Sequence, residues 1–70
     1  MLKVDIEYMK SYIETKGIKQ KFIAKEIGME ESKLSLSLLG KRKLEAGEYA
    51  SVCKILEVSM DTFIKKEKGE

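Results

Sequence analysis

Residues 17–40 read GIKQKFIAKEIGMEESKLSLSLLG. Two apolar-patterned pieces lie between three glycines, Gly17, Gly28 and Gly40. Phe22, Ile23 and Ile27 fall on one face of a helix over about 19–27, with the small Ala24 beside them. Leu34, Leu38 and Leu39 do the same over about 30–39. The link is Gly28-Met29-Glu30, short enough to force the two helices to cross steeply. The first residue past a helix often needs φ > 0, which glycine adopts without a Cβ penalty. Ala24, four residues before Gly28, lets the next helix approach closely, and Met29 and Leu34 plug the crossing. The pattern over about 19–39 is that of a helix-turn-helix, whose second helix projects from the surface.

The flanks continue the helical spacing. Ile6, Met9, Tyr12 and Ile13 predict a helix over about 5–15, with Asp5 as N-cap and Gly17 at its end. Tyr49, Val52, Cys53 and Leu56 form an i, i+3, i+4, i+7 stripe over about 46–56. A last helix is expected to start at Ser59, with Asp61 in its first turn and Met60, Phe63 and Ile64 along it. β-Branched residues are scattered, and no period-2 run survives. The expectation is an all-α fold: one domain over 1–70, five short helices, core about 5–64.

Composition narrows the function classes. Seventy residues make one domain with a thin core, and a partner subunit would help to stabilise it. There is no histidine and only one cysteine, Cys53. An internal disulfide, a Cys/His metal site and histidine acid–base chemistry are all excluded. No cofactor and no enzyme activity are expected. No apolar run of about 18 residues is present, so no membrane span is expected. Residues 1–13 carry Asp5 and Glu7 and lack a signal-peptide core, which makes the cytoplasm the expected compartment.

The net charge of +2 decides nothing, but its distribution does. Lys16, Lys19, Lys21 and Lys25 fall in a stretch without an acid. Lys41, Arg42 and Lys43 are consecutive, and the tail holds Lys65, Lys66 and Lys68. Residues 44–64 are acidic on balance, through Glu45, Glu48, Glu57 and Asp61. One end of the molecule is expected to be positive and the other negative.

These residues resemble a known family. Gln20-Lys21-Phe22-Ile23-Ala24, Gly28-Met29, Leu34-Ser35 and Gly40-Lys41-Arg42 are similar in type and spacing to the Xre/Cro-type phage repressors, the lambda-repressor-like helix-turn-helix proteins. Tyr49, Val52-Cys53, Leu56, Val58-Ser59-Met60-Asp61 and Phe63 extend the similarity, which covers about residues 6–64. The resemblance implies a transcriptional regulator, a repressor, that binds double-stranded DNA as a homodimer on a two-fold operator. It assigns base reading to Glu31, Ser32, Lys33, Ser35 and Leu36. It assigns phosphate contact to Lys19, Gln20, Lys41, Arg42 and Lys43. Helix N-termini favour anions, which agrees with Gln20 opening the second helix. Surplus apolar surface at Val58, Met60 and Ile64 is assigned to the dimer contact, through the last helix and the loop before it.

The sequence departs from that pattern in two places. Glu30 and Glu31 stand where the family carries a Ser or Thr N-cap. They suit the helix dipole and face phosphate unfavourably, although a Glu can accept from cytosine N4. An Arg–Glu salt bridge that the family often buries between the first and third helices is replaced by Ile13 and Leu38. An apolar pair strands no charge there, and the two side chains are expected to meet. Glu30, Glu31 and Leu36 keep open a different class of function. The alternatives are a protein-interaction module (an antirepressor or a complex subunit) or the antitoxin of a toxin–antitoxin pair, with a regulatory protein as partner. Cys53 and the methionines Met9, Met29 and Met60 are read as core fillers. Lys65–Lys68 are read as a frayed, solvated tail.

Overall fold

The computed structural model describes residues 2–66. Four helices and a small sheet follow in the order β1 (Leu2–Val4), α1 (Ile6–Lys16), α2 (Gln20–Ile27), α3 (Glu31–Leu38), α4 (Ala46–Leu56) and β2 (Ile64–Lys66). The fold is therefore mostly helical. The expected fifth helix is absent, and the strands at the two ends were not foreseen.

Each helix end has a local cause. The Asp5 side chain accepts from the Tyr8 N–H at 3.1 Å and caps α1. At the end of α2 the Met29 N–H donates to the Ala24 carbonyl, with Gly28 at φ +73°. That is the Schellman closure, and it needs a left-handed residue. The same 6→1 bond closes α1, α3 and α4, from Ile18 to Ile13, Lys41 to Leu36 and Val58 to Cys53. At α4 the left-handed residue is Glu57, at φ 60°. Ile18, Met29 and Val58, each just past its helix, fold back onto the core, as the motif requires.

One apolar cluster joins the four helices. Met9 and Ile13 come from α1, Ile23 and Ala24 from α2, Leu34 and Leu38 from α3, and Tyr49, Val52, Cys53 and Leu56 from α4. Ile13 and Leu38 are both buried there, and α1 packs on α3. Leu44, in the loop before α4, adds to the cluster without having been read as core. Phe22 and Leu39 were read as inward-facing, yet each is about half exposed (51% and 53%). Eight-residue helices have a narrow buried face, and Ile23 with Ala24 and Leu34 with Leu38 already fill it.

Residues 59–63 form a turn rather than a helix. The Thr62 N–H donates to the Ser59 carbonyl, and the Ile64 N–H to that of Asp61. Ser59 Oγ meets Thr62 Oγ1 at 3.3 Å, so Ser59 caps nothing. The Tyr49 hydroxyl donates to the Met60 carbonyl at 2.6 Å and pins the turn to α4. Phe63 is wholly buried, its ring edge-on to Tyr8 and Tyr12 at 5.4 and 5.5 Å. The chain then leaves in extended form, and Lys3 pairs with Lys65 and Val4 with Ile64, antiparallel. A helix this short does not repay its nucleation, whereas the strand finds a partner at once. Lys65 and Lys66 thus belong to a strand rather than to a frayed tail; Lys68 lies outside the described residues.

Candidate nucleic-acid interface

The α2–turn–α3 unit places the residues singled out from the sequence. Gly28 turns the chain, and α2 and α3 pack on each other. Ile23 and Ala24 on α2 and Leu34, Ser37 and Leu38 on α3 bury the inner faces. Glu31, Ser32 and Leu36 are exposed and Ser35 is half-buried. Ser32, Ser35, Leu36 and Leu39 follow one another at helical spacing and share a face. Glu30, at the N-cap, makes no side-chain capping bond, so its carboxylate adds charge without closing the helix end.

Lys33 lies on a different side of the helix. Its charge is near enough to Glu48, on α4, to help lower that carboxyl's pKa. Ser37, one turn further along the same side, is fully buried. Lys33 is itself exposed, one position round the helix from Ser32.

Basic residues flank the α2–α3 unit along the chain. Lys19 is exposed just before α2, and Gln20 is half-buried as the first residue of the helix. Past α3, Lys41 and Lys43 are exposed. Arg42 between them is not free. Its Nη1 and Nη2 donate to the two carboxylate oxygens of Glu48, both at 3.0 Å, and Nη1 also donates to Ser37 Oγ at 2.9 Å. Glu48 Oε1 in turn accepts from the Glu45 N–H at 2.9 Å, at the start of α4. The Arg42 hydrogen bond, followed by that of the Glu45 N–H, holds the Glu48 carboxyl below the usual carboxylate range. Its chief effect on Arg42 is to raise the guanidinium's pKa.

This pairing weighs against Arg42 as a phosphate contact. A guanidinium engaged by both oxygens of a carboxylate has spent its planar fork. What it does is tie the end of α3 to the start of α4 and fix the loop that carries Lys41 and Lys43. Nothing in the spacing of Arg42 and Glu48 announces this, because the six-residue separation spans a loop and a helix start.

The residues assigned to a dimer contact are dispersed by the loss of the fifth helix. Val58 and Ile64 are half-buried and packed against the core. Only Met60 stays broadly exposed, at 50%. Cys53 is a buried free thiol, its pKa pushed up by burial, which fits a core filler. Tyr49 behaves alike: burial is the largest cause that pushes its hydroxyl up to about 12. Among the described residues no cluster of His, Cys, Asp and Glu could hold a metal ion, and no helix is long and apolar enough to cross a membrane.

Comparison of the chain with protein-family models, with curated proteins and with solved structures gives no match.

Proposed function

We propose that the chain is a lambda-repressor-like, Xre/Cro-type DNA-binding regulator, a repressor that binds a two-fold operator as a homodimer with α3 in the major groove. One observation carries this reading. Glu31, Ser32 and Leu36 on α3 are exposed with Ser35 half-buried beside them, and exposed lysines precede and follow the helix pair along the chain, Lys19 before α2 and Lys41 and Lys43 after α3. A groove-reading helix flanked by phosphate-binding cations is the arrangement that positions such units on duplex DNA. Ser32 and Glu31 are the base readers in this reading. Lys19, Gln20, Lys41 and Lys43 hold phosphates, and Arg42 supports the loop from behind. The dimer contact falls to Met60, with Val58 and Ile64 beneath it.

Selection from randomised duplexes at about 50 and 200 mM salt tests the proposal. A two-fold symmetric motif whose retention falls steeply with salt is the expected result. Lys41→Ala and Lys43→Ala should each weaken binding to all duplexes alike and reduce the log–log salt slope by about 0.9. Ser32→Ala should change preference at one base position. Sedimentation of Met60→Glu tests the dimer.

The second reading, a protein-interaction module, draws support from Phe22, Leu36 and Leu39. Three large apolar side chains exposed on one helix pair suit a protein partner better than a phosphate backbone. No retention of any duplex at low salt would select it.

A further inference from the structure

An open groove of about 590 Å³ runs between β1 and the loop after α3. Its walls are Lys3, Val4 and Ile6 on one side and Gly40 to Leu44 on the other. Among the described residues it is lined from β1 and not from β2. Two features of this groove point to the same ligand.

The first is the backbone of β1. The Asp5 N–H donates across to the Phe63 carbonyl, and the register pairs Val4 with Ile64. The Ile64 N–H turns back to Asp61 instead of crossing to Val4. Antiparallel pairs alternate between bonded and non-bonded positions, so the Val4 N–H and C=O point to the outer edge of the sheet. No described strand covers that edge. An exposed edge is a template for one more strand.

The second is charge. Lys41 and Lys43 are exposed on the far wall, and among the described residues no acidic one lines the groove. Its lining is mostly apolar, with Val4, Ile6 and Leu44 in it. A sugar–phosphate backbone would match the lysines and leave the apolar lining and the strand edge unused. A second copy of this chain, adding its own β1 edge to edge, would bring like-charged lysine walls together, which is destabilising. An extended segment with alternating carboxylates and apolar side chains satisfies all three features at once.

We propose that this groove is the docking site for an extended acidic segment of a partner protein, which adds to the free edge of β1 and sets its carboxylates against Lys41 and Lys43. The regulatory consequence rests on the DNA-binding reading above. Lys41 and Lys43 serve phosphates there, so a docked acidic strand and duplex DNA compete for the same lysines, and the partner releases the repressor.

The test uses the full chain and the blocked synthetic peptide Glu-Val-Glu-Val-Glu, followed by amide shifts in NMR. The expected shifts are confined to residues 3–6 and 40–44. The doubly substituted Lys41→Glu, Lys43→Glu protein, whose changes are exposed and leave the core intact, should bind the peptide at least about tenfold more weakly. Unshifted amides in a folded wild-type protein would overturn the proposal, as would equal binding of Gln-Val-Gln-Val-Gln. Concentration-dependent shifts at Val4 without any peptide would replace it by a second copy at this edge. In a separate arm, displacement of a bound duplex by the peptide supports competition, and simultaneous binding of both overturns it. A protein that takes the peptide and ignores all duplexes would uphold the groove and overturn the DNA-binding reading alone.

Discussion

The middle of the chain and its two ends are built on different rules. Between Gly17 and Gly40 each step is local: a glycine closes a helix, a small residue admits its neighbour, and the helices begin and end close to where the spacing puts them. At the ends, Leu2–Val4 and Ile64–Lys66 are strands only because they meet. Neither three-residue segment would be stable alone. Phe63 is the hinge of that meeting. Its carbonyl accepts from Asp5, and its ring fills the space between Tyr8 and Tyr12. The contrast teaches that the α2–turn–α3 unit can be specified in a two-dozen-residue window, while the frame that holds it closes across nearly the whole chain.

Substitutions should separate the two regions. The largest effect is expected at the closure. Phe63 is fully buried, and Phe63→Ala should cost about 3–5 kcal/mol, read by denaturant unfolding. Hydrogen exchange should show β1 and β2 losing protection before α2 and α3. A simultaneous loss everywhere would mean that the ends and the middle fold as one unit. Gly28→Ala comes next. A Cβ there meets nothing within 4 Å, so the penalty is the left-handed backbone alone, about 1–2 kcal/mol. If the middle is as locally specified as its sequence suggests, that loss should come with an altered α3 orientation and weaker duplex binding.

The Arg42–Glu48 pair joins the end of α3 to the start of α4. Arg42→Ala should lower the melting temperature and leave the slope of duplex binding against salt unchanged, unlike Lys41→Ala or Lys43→Ala. A slope reduced as much as theirs would return Arg42 to the phosphate-contacting set. Glu48 gives the pH dependence. Its folded pKa lies below the ordinary value, so its contribution is present above the unfolded glutamate pKa and is lost as pH falls through the folded one. Melting temperature should therefore drop on that acid limb, and Glu48→Gln should flatten it. Arg42, shifted upward, changes nothing at working pH. The smallest effect is a gain: Glu57→Gly relieves the non-glycine left-handed residue that ends α4 and should stabilise by less than about 1 kcal/mol. A loss there would show that Glu57 has a contact worth more than its strain.

The legible parts share a cause. The stripe Tyr49, Val52, Cys53 and Leu56 is buried as its spacing demands, and Asp5 caps the helix it precedes. Such signals act within one helical turn. Leu44 was missed because a lone apolar residue in a loop has no period. Phe22 and Leu39 were misplaced because apolar spacing marks a face without saying how wide the buried strip is. Arg42 was read from its neighbours Lys41 and Lys43, while its actual partner sits on the next helix.

The sequence by itself determined four helices to within a residue or two of their ends, the tight turn at Gly28 and most of the buried face of each helix. These follow from i, i+3, i+4 spacing and capping, both of which act over a few residues. Only the tertiary structure decided that the last segment is a strand, that Arg42 turns inward to Glu48 and that β1 keeps an open edge beside Lys41 and Lys43. Each of those depends on what a segment meets across the fold, and a backbone hydrogen bond or a carboxylate found there outweighs the weak local preference the segment carried.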